Sequence, residues 1–568
     1  MQIVDATMDD LLTDYDVIVA GTGMTESILA GALSRIGKTV LHLDSNEYYG
    51  ENWASFNFDA IQTWIARMRN PVPQCESLNT QNLKESESVH AVNYELNISN
   101  VEEKWYRRTN NESTPQITSE LPADGESDPN TDKPETKQEE NEEYMKRESR
   151  KFNLDLCPKV LFSRGPLVEL LISSNIAKYA EFKSVSRVLT WRNDHLELVP
   201  CSRADVFATK NISVVEKRLL VKILTSFLKY PDNSDELSGF ENKTFFEYLK
   251  YKKLPDNIIH YILYAMAMGD KNMSCLDGVK ASKSFLESLG RYGNTPFIFP
   301  MYGSGELPQC FCRLCAVFGG VYYLKRGVEG VIKEGSRCVG VVSDNKRLNA
   351  SHFVFSSNHV SSELKQKKST IRISRGIFIT DRSILQSEKE PLTLLLFPPV
   401  PEVSEKSVTV IELGPGTSTC PGKVFVVHMT TVATRDAAAD LSHVIDALFD
   451  RESTDSEKPK ILWSVTWNAT EDVSIESKLD NVKICSGPTT ELDFNFSIDE
   501  ARRLFKEICP DEEFLPRAPD PDEIILPCDE TAEERTAEGG VDGGGEGTAR
   551  MPENAAGASE SENQQSAG

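Results

Sequence analysis

Residues 14–44 read DYDVIVAGTGMTESILAGALSRIGKTVLHLD, and this stretch decides the fold class. Residues 17–20 are a short apolar, β-branched run, which predicts a strand. Gly21 and Gly23 make a tight turn, and residues 27–36 carry apolar side chains at helical spacing, with small Ala30, Gly31 and Ala32 among them. Small residues there allow a helix to approach a sheet closely, Gly37 ends the helix, and residues 39–43 form a second strand closed by Asp44. Strand, glycine turn, helix and strand make the βαβ start of a dinucleotide-binding fold.

One position breaks the dinucleotide pattern. Gly21-Thr22-Gly23-Met24-Thr25-Glu26 stands where G-x-G-x-x-G belongs, and Asp44 stands where a ribose-binding acid belongs. Glu26 replaces the third glycine. Its carboxylate lies in the first turn of the helix whose N–H groups would face a pyrophosphate, so two anions would compete for one positive dipole end. The turn therefore reads as a retained scaffold, and no cofactor is expected.

Outward from this unit, the chain changes character. Residues 71–150 turn polar and acidic, and their second half is too poor in apolar residues to offset chain entropy. Residues 101–107 (VEEKWYR) could dock locally. Residues 166–179 read as helix, and 185–191 with 195–199 as a hairpin around Asn193-Asp194. From 202 to 289 the period is helical, and the segments 214–228 and 257–268 are apolar round most of their circumference. Such helices are either the core of a small α-domain or the walls of an apolar pocket. Strands return from 295 onward and end at a helix over 499–509.

The expected class is α/β: a Rossmann-like FAD/NAD-binding multi-sheet domain with an inserted all-helical domain and a disordered acidic insert and tail. The expected boundaries are 1–108 for the first half of the sheet domain, 109–150 for the insert and 151–200 for return strands. Residues 201–290 form the helical domain, 291–515 the second half of the sheet domain, and 516–568 the tail.

The 568 residues hold 62 Lys+Arg against 87 Asp+Glu, a formal charge of −25. Residues 111–150 carry −7 of this and residues 511–568 carry −13, so the acid belongs to the insert and the tail. A chain this acidic makes no nucleic-acid partner expected. It has no apolar run of membrane-spanning length. Its first residues, MQIVDATMDDLL, have no signal-peptide pattern and its last, QQSAG, form no prenylation box, so a cytosolic, unlipidated chain is expected. Its 12 Cys then read as free thiols. Cys310, Cys312 and Cys315 fall on one helix but on different faces, which suits buried packing better than a metal site. No His pair at metal spacing and no G-x-S-x-G motif occurs, so no catalytic or metal residue is assigned.

Three blocks carry a resemblance: 44–50 (DSNEYYG), 291–313 (RYGNTPFIFPMYGSGELPQCFCR) and 318–323 (FGGVYY). With them the chain resembles the superfamily of Rab GDP-dissociation inhibitors and Rab escort proteins. The acidic insert and tail, 310–315 (CFCRLC), 508–514 (ICPDEEF) and Phe285 within 283–291 (KSFLESLGR) are similar to the escort branch.

The resemblance implies a Rab-binding platform at Tyr49, Glu306, Arg313 and Tyr323, the last standing where inhibitors commonly carry Met. It implies an isoprenoid groove between the apolar helices, collapsed when empty. It also implies transferase docking through an exposed Phe with an Arg nearby, for which Phe285 and Arg291 are the candidates. Plainer readings stay open beside these: Glu306 as an acid complementing a helix N-terminus, Tyr49 as a turn aromatic, and Phe285 as a core residue in an i,i+4 stripe with Leu289.

The function implied is a non-catalytic subunit. It would bind GDP-bound Rab GTPases, present them to the αβ geranylgeranyltransferase heterodimer, shelter the geranylgeranyl group and deliver the product in transient membrane contact. Two alternatives are a GDP-dissociation inhibitor that recycles prenylated Rabs and, from another class, a flavin oxidoreductase.

Overall fold

The βαβ unit forms as the sequence predicts: β1 (Asp14–Ala20), α1 (Met24–Arg35) and β2 (Val40–Leu43). The structure, a computed structural model, describes residues 12–70, 83–92, 97–106, 136–209, 212–232, 234–387, 391–450 and 457–517. β1 pairs in parallel with β2 on one side and with Lys346–Ser356 on the other. Val321–Tyr323 extends this parallel array beyond β2, and Val482–Cys485 adds to the far end of Lys346–Ser356. Lys346–Ser356 also joins an antiparallel extension through Arg337–Ser343, Gly330–Glu334 and Glu87–Ala91, which completes an eight-stranded sheet.

α1 is buried along nearly its whole length, between the sheet and two helices, Glu306–Val317 and Asn495–Ile508. A Cβ built on Gly31 would lie 3.3 Å from Leu314 Cδ2 and 3.4 Å from the Phe311 carbonyl oxygen. The small residues of α1 thus admit a neighbouring helix, where the sequence reading assigned them to helix–sheet packing.

A second eight-stranded sheet runs in the order His195–Leu198, Arg187–Arg192, Thr393–Phe397, Val408–Leu413, Phe425–Val432, Lys365–Thr380, Ile461–Ser477, Ile98–Trp105. The hairpin turn holds Asn193 at φ 51 and Asp194 at φ 60, both left-handed, as an Asn-Asp two-residue turn requires. Between Arg203 and Ser288 every element is helical. Side-chain caps start these helices: Ser213 and Thr244 each form a capping box, and Ser274 caps the helix Cys275–Ser288. One continuous core joins Phe227, Phe245, Ile262 and Phe285 of the helices to Val188, Ile377 and Trp463 of the second sheet.

Two expectations need correction. The acidic insert is ordered from Thr136: Thr136–Arg147 is a helix, with Met145 fully buried in the main core and Asn141 Nδ2 donating to the Tyr106 carbonyl at 3.1 Å. Met145 and half-buried Tyr144 suffice on a largely polar helix when a neighbouring element, here Phe58–Arg69, supplies the rest of the apolar surface. Residues 257–268 are not one α-helix: Asp256–His260 is α, and Tyr261–Met266 is a π-helix. Residues 109–135 of the expected insert and 518–568 of the expected tail lie outside the described residues.

Candidate functional site

The glycine turn is built to hold the protein's own carboxylates. Gly21 sits at φ +105, and a Cβ there would collide with Glu51 Oε1 and lie 2.8 Å from Ser356 Cβ. A Cβ on Gly23 would lie 2.5 Å from Glu26 Oε2. Both glycines therefore make room for Glu51 and Glu26 at the place where phosphate oxygens would approach the α1 N-terminus.

Asp44 is spent in the same way. Its Oδ2 accepts from the Thr22 N–H at 3.0 Å and from the Thr22 hydroxyl, and its Oδ1 accepts from the Asn46 N–H at 2.7 Å. The Gly50 N–H closes the ring on Thr22 Oγ1 at 2.9 Å. A hole of about 10 Å³ remains, lined by Gly23, Glu26, Glu51, Ser356 and Glu471 among others. That is room for one water, where a bound dinucleotide would need several hundred Å³ of cleft, on the order of 300–1,000.

Burial also sets the proton affinity of the groups that fill the cradle. Burial, then Glu51, Glu500 and Asp44 beside it, push the Glu26 carboxyl well above its ordinary range. Burial and Glu51 raise Asp44 to about 6, and burial raises Glu471 to about 8 against the pull of Arg375. His359 is the counter-charge: burial opposes its protonation, but Glu51, 3.1 Å from its Nε2, and Asp44 raise it above the ordinary histidine value. His42 is driven to about 4 by burial and stays neutral. A dinucleotide does not fit these residues.

Asp44, Glu51 and His359 place one ligand atom each within 4.8 Å of one another, a composition that could hold a cation. Their donor atoms are already committed to Thr22, Asn46, Ser356 and each other, so the cluster reads as an internal charge balance.

The four platform candidates come from the loop after β2, the Glu306–Val317 helix and the strand Val321–Tyr323. Tyr49 is half-buried, its ring 6.0 Å from that of Tyr322, in the strand that ends at half-buried Tyr323. The Asp44 N–H donates to the Tyr323 carbonyl at 3.0 Å, which pins that strand to the end of β2. The Ser55 hydroxyl accepts from the Gly305 N–H at 2.8 Å, so the loop after Tyr49 is tied to the start of the Glu306–Val317 helix. Glu306 is half-buried, and burial raises its carboxyl against the pull of Arg313. Arg313 is exposed, its guanidinium 5.6 Å over the Tyr179 ring. Cys312 meets Ser27 at 3.3 Å and Cys315 meets Ser34 at 2.8 Å, so these two share the inner face of the same helix, where the sequence reading put the three cysteines on different faces. Burial pushes the Cys312 thiol up to about 12, so it packs against α1 as a neutral group.

The transferase-docking candidates fare differently. Phe285 has no exposed surface and packs edge-on against Phe297, 5.9 Å away. The expectation of an exposed anchor is overturned; the i,i+4 stripe with Leu289 is a core stripe. Arg291 is engaged within the chain, donating to the Ser163 carbonyl at 2.8 Å and pairing with Glu169.

In the helical layer, Leu220, Phe227, Ile258, Ile262, Leu263 and Met266 are buried, and the apolar surfaces close on one another. A separate surface cleft of about 430 Å³ has Leu219, Ile223 and Leu254 on its floor and Lys222, Lys229 and Lys252 around it. Sequence reasoning singled out Glu26 and Asp44 but missed Glu51, which directly follows the 44–50 block, and Ser356, His359, Glu471 and Glu500, which come from distant segments and carry no local signal.

Comparison with known proteins places this geometry. The sequence pattern of the family described as GDP dissociation inhibitor matches residues 8–80 and 132–492. The Rattus norvegicus protein named Rab proteins geranylgeranyltransferase component A 1 is 36% identical, over 93% of this chain and 95% of its own length. The Drosophila melanogaster protein named Rab proteins geranylgeranyltransferase component A is 38% identical, over 91% of this chain and 93% of its own. The crystal structure of a Rab GDI from Plasmodium falciparum superposes with a TM-score of 0.62 at 18% identity, covering 89% of this chain and all of that one, and so shares the fold. Family pattern and full-length relatives agree: this chain belongs to the GDP dissociation inhibitor family, in its Rab geranylgeranyltransferase component A branch.

Proposed function

We propose that this chain is the non-catalytic, substrate-binding subunit of a Rab geranylgeranyltransferase. It binds GDP-loaded, unprenylated Rab GTPases, presents their C-termini to the αβ heterodimer, shelters the geranylgeranyl group afterwards and releases the product to membranes. The observation that carries this reading is likeness to component A proteins over more than nine-tenths of the chain. The carboxylate-filled cradle supports it, because a flavin oxidoreductase needs the space that Glu26 and Glu51 occupy. Among the described residues no helix is long and apolar enough to cross a membrane, which suits a cytosolic carrier with transient membrane contact.

In this reading Tyr49, Glu306, Arg313 and Tyr323 form the Rab platform. Tyr offers contact area with a polar tip, and exposed Arg313 offers a planar cation to an acidic partner. The buried Phe285 cannot touch the transferase without unpacking, so that contact falls to exposed groups of the helical layer. The test is reconstitution of Rab geranylgeranylation from the αβ heterodimer, a Rab and labelled donor. Prenyl incorporation should require this chain; equal incorporation without it refutes the proposal. A recycling inhibitor would bind prenylated Rab yet fail to restore incorporation.

A further inference from the structure

The helical layer contains one local anomaly. Asp256–His260 begins as an α-helix, and Tyr261–Met266 continues it as a π-helix. The Ala267 N–H reaches back to the Ile262 carbonyl at 2.8 Å and the Gly269 N–H to that of Leu263 at 2.9 Å, wider spans than the α pattern. A π-turn is an α-helix carrying a surplus residue; it is rare and concentrates where a segment must move or bind. No glycine or proline lies in residues 261–266 to impose it. The segment ends on Met268 at φ 53, a left-handed conformation unfavourable for a side chain of that size. Two unfavourable features thus sit side by side in a segment where Tyr261, Ile262, Leu263, Ala265 and Met266 are all at most 1% exposed.

The two ends of the segment are held by different forces. At its start, His260 Nε2 and Thr190 Oγ1 are 3.0 Å apart, and the Tyr261 hydroxyl donates to Glu197 Oε2 at 2.5 Å. Glu197 is in turn paired with Arg192 and His195, each at 3.0 Å. Beyond Tyr264, the side chains of Ala265, Met266 and Ala267 can form no strong hydrogen bond, and the segment packs on the Cys275–Ser288 helix and on the second sheet through the apolar core. The start is anchored by side-chain bonds; the end has only its own backbone bonds and non-directional contact.

We propose that this π-turn is the gate of the geranylgeranyl site, an inference that rests on the lipid-sheltering role proposed above. Relaxing the turn to α-helix passes the surplus residue into the Met268–Gly269 turn and frees Met268 from its left-handed conformation. It also rotates the side chains that follow Leu263 by about 100° per residue of register shift. That rotation parts the segment from the Cys275–Ser288 helix and opens an apolar slot between them. The Glu197–Tyr261 bond keeps the motion to the C-terminal half.

The test titrates the full-length chain with a dansyl-labelled geranylgeranylated peptide. Deleting Ala265 removes the surplus residue and favours the open register, so the peptide should bind roughly ten-fold tighter. Met268→Gly relieves strain in the closed state alone, so binding should weaken by roughly three-fold or more while thermal stability is kept or raised. Unchanged affinity in both folded variants overturns the gate. Should the deletion variant fail to fold, hydrogen exchange of the natural chain decides together with Met268→Gly. The peptide should speed exchange at Gly269, whose bond to the Leu263 carbonyl the α register gives up, and unaltered protection there overturns the gate. A natural chain that does not bind the peptide at all removes the lipid-sheltering role itself and the gate with it. Binding without any response in the variants removes the gate alone.

Discussion

The dinucleotide cradle and the helical layer have both been closed, and the materials that close them are opposite. Glu26, Glu51 and Asp44 fill the cradle, and Thr22, Asn46, Ser356 and His359 hold Asp44 and Glu51 in directional bonds. Moving one of these carboxyl groups leaves a buried polar group without its partner, which costs about 1–3 kcal/mol. The helical layer is closed by Ile262, Leu263, Met266 and Phe285, whose contacts have no direction and can be exchanged for contacts with another apolar chain at little net cost. A cleft sealed with charge is a rigid scaffold; a cleft sealed with hydrocarbon can reopen to hydrocarbon.

The comparison breaks most visibly at Phe285. Because it is fully buried against Phe297, Phe285→Ala should cost about 3–5 kcal/mol in denaturant unfolding. A loss below about 1 kcal/mol would return Phe285 to the surface and reopen its docking role. Next in size is Glu197→Ala, which leaves Tyr261 and Arg192 without their shared acceptor and should cost about 1–3 kcal/mol. Its loss should fall on the helical layer, seen as faster hydrogen exchange at Tyr261–Met266 with the cradle strands unaffected.

The cradle gives a pH test. A carboxyl whose folded pKa is raised contributes stability that is present below its unfolded value, near 4, and is lost as pH rises through the folded value. Glu26 is raised well above its ordinary value and Asp44 to about 6, so the cradle is at its firmest in mild acid and loosens toward neutral pH and beyond. Raised His359 works in the same direction: its contribution is present below its unfolded value and falls as pH rises through the folded one. Glu26→Gln mimics the protonated carboxyl. Thermal melts should show it more stable than the natural chain by about 1–2 kcal/mol near pH 8, a gain that shrinks toward pH 5. A pH-independent difference would mean that Glu26 is not charged in the folded cradle. The smallest effect is expected at Glu169→Gln. Its carboxylate is 57% exposed, so losing the pair with Arg291 should cost under about 1 kcal/mol.

Much of the fold was legible where local pattern and tertiary need coincide. The Gly21–Gly23 turn, the Asn193-Asp194 hairpin and the capped helix over 214–228 form where the spacing predicts them. Elements that draw their apolar surface from elsewhere were not legible. Thr136–Arg147 rests on one buried methionine, and Glu87–Ala91 is a sheet-edge strand with no buried residue. The candidate site divides in the same way. Glu26 betrays itself by breaking a glycine pattern, whereas Glu500 meets it, and His359 meets Glu51, only after segments hundreds of residues apart are folded together. The burial of Phe285 was present in its stripe with Leu289, but resemblance to the escort branch pointed outward.

The central claim is that a sealed cradle serves as a rigid docking face. It is tested most directly by titrating the purified chain with an unprenylated Rab loaded with a fluorescent GDP analogue, beside the Arg313→Glu variant. The natural chain should bind saturably and the variant at least roughly ten-fold more weakly, as expected when an exposed interface cation is reversed. No saturable binding by the natural chain, or equal binding by both, would contradict it.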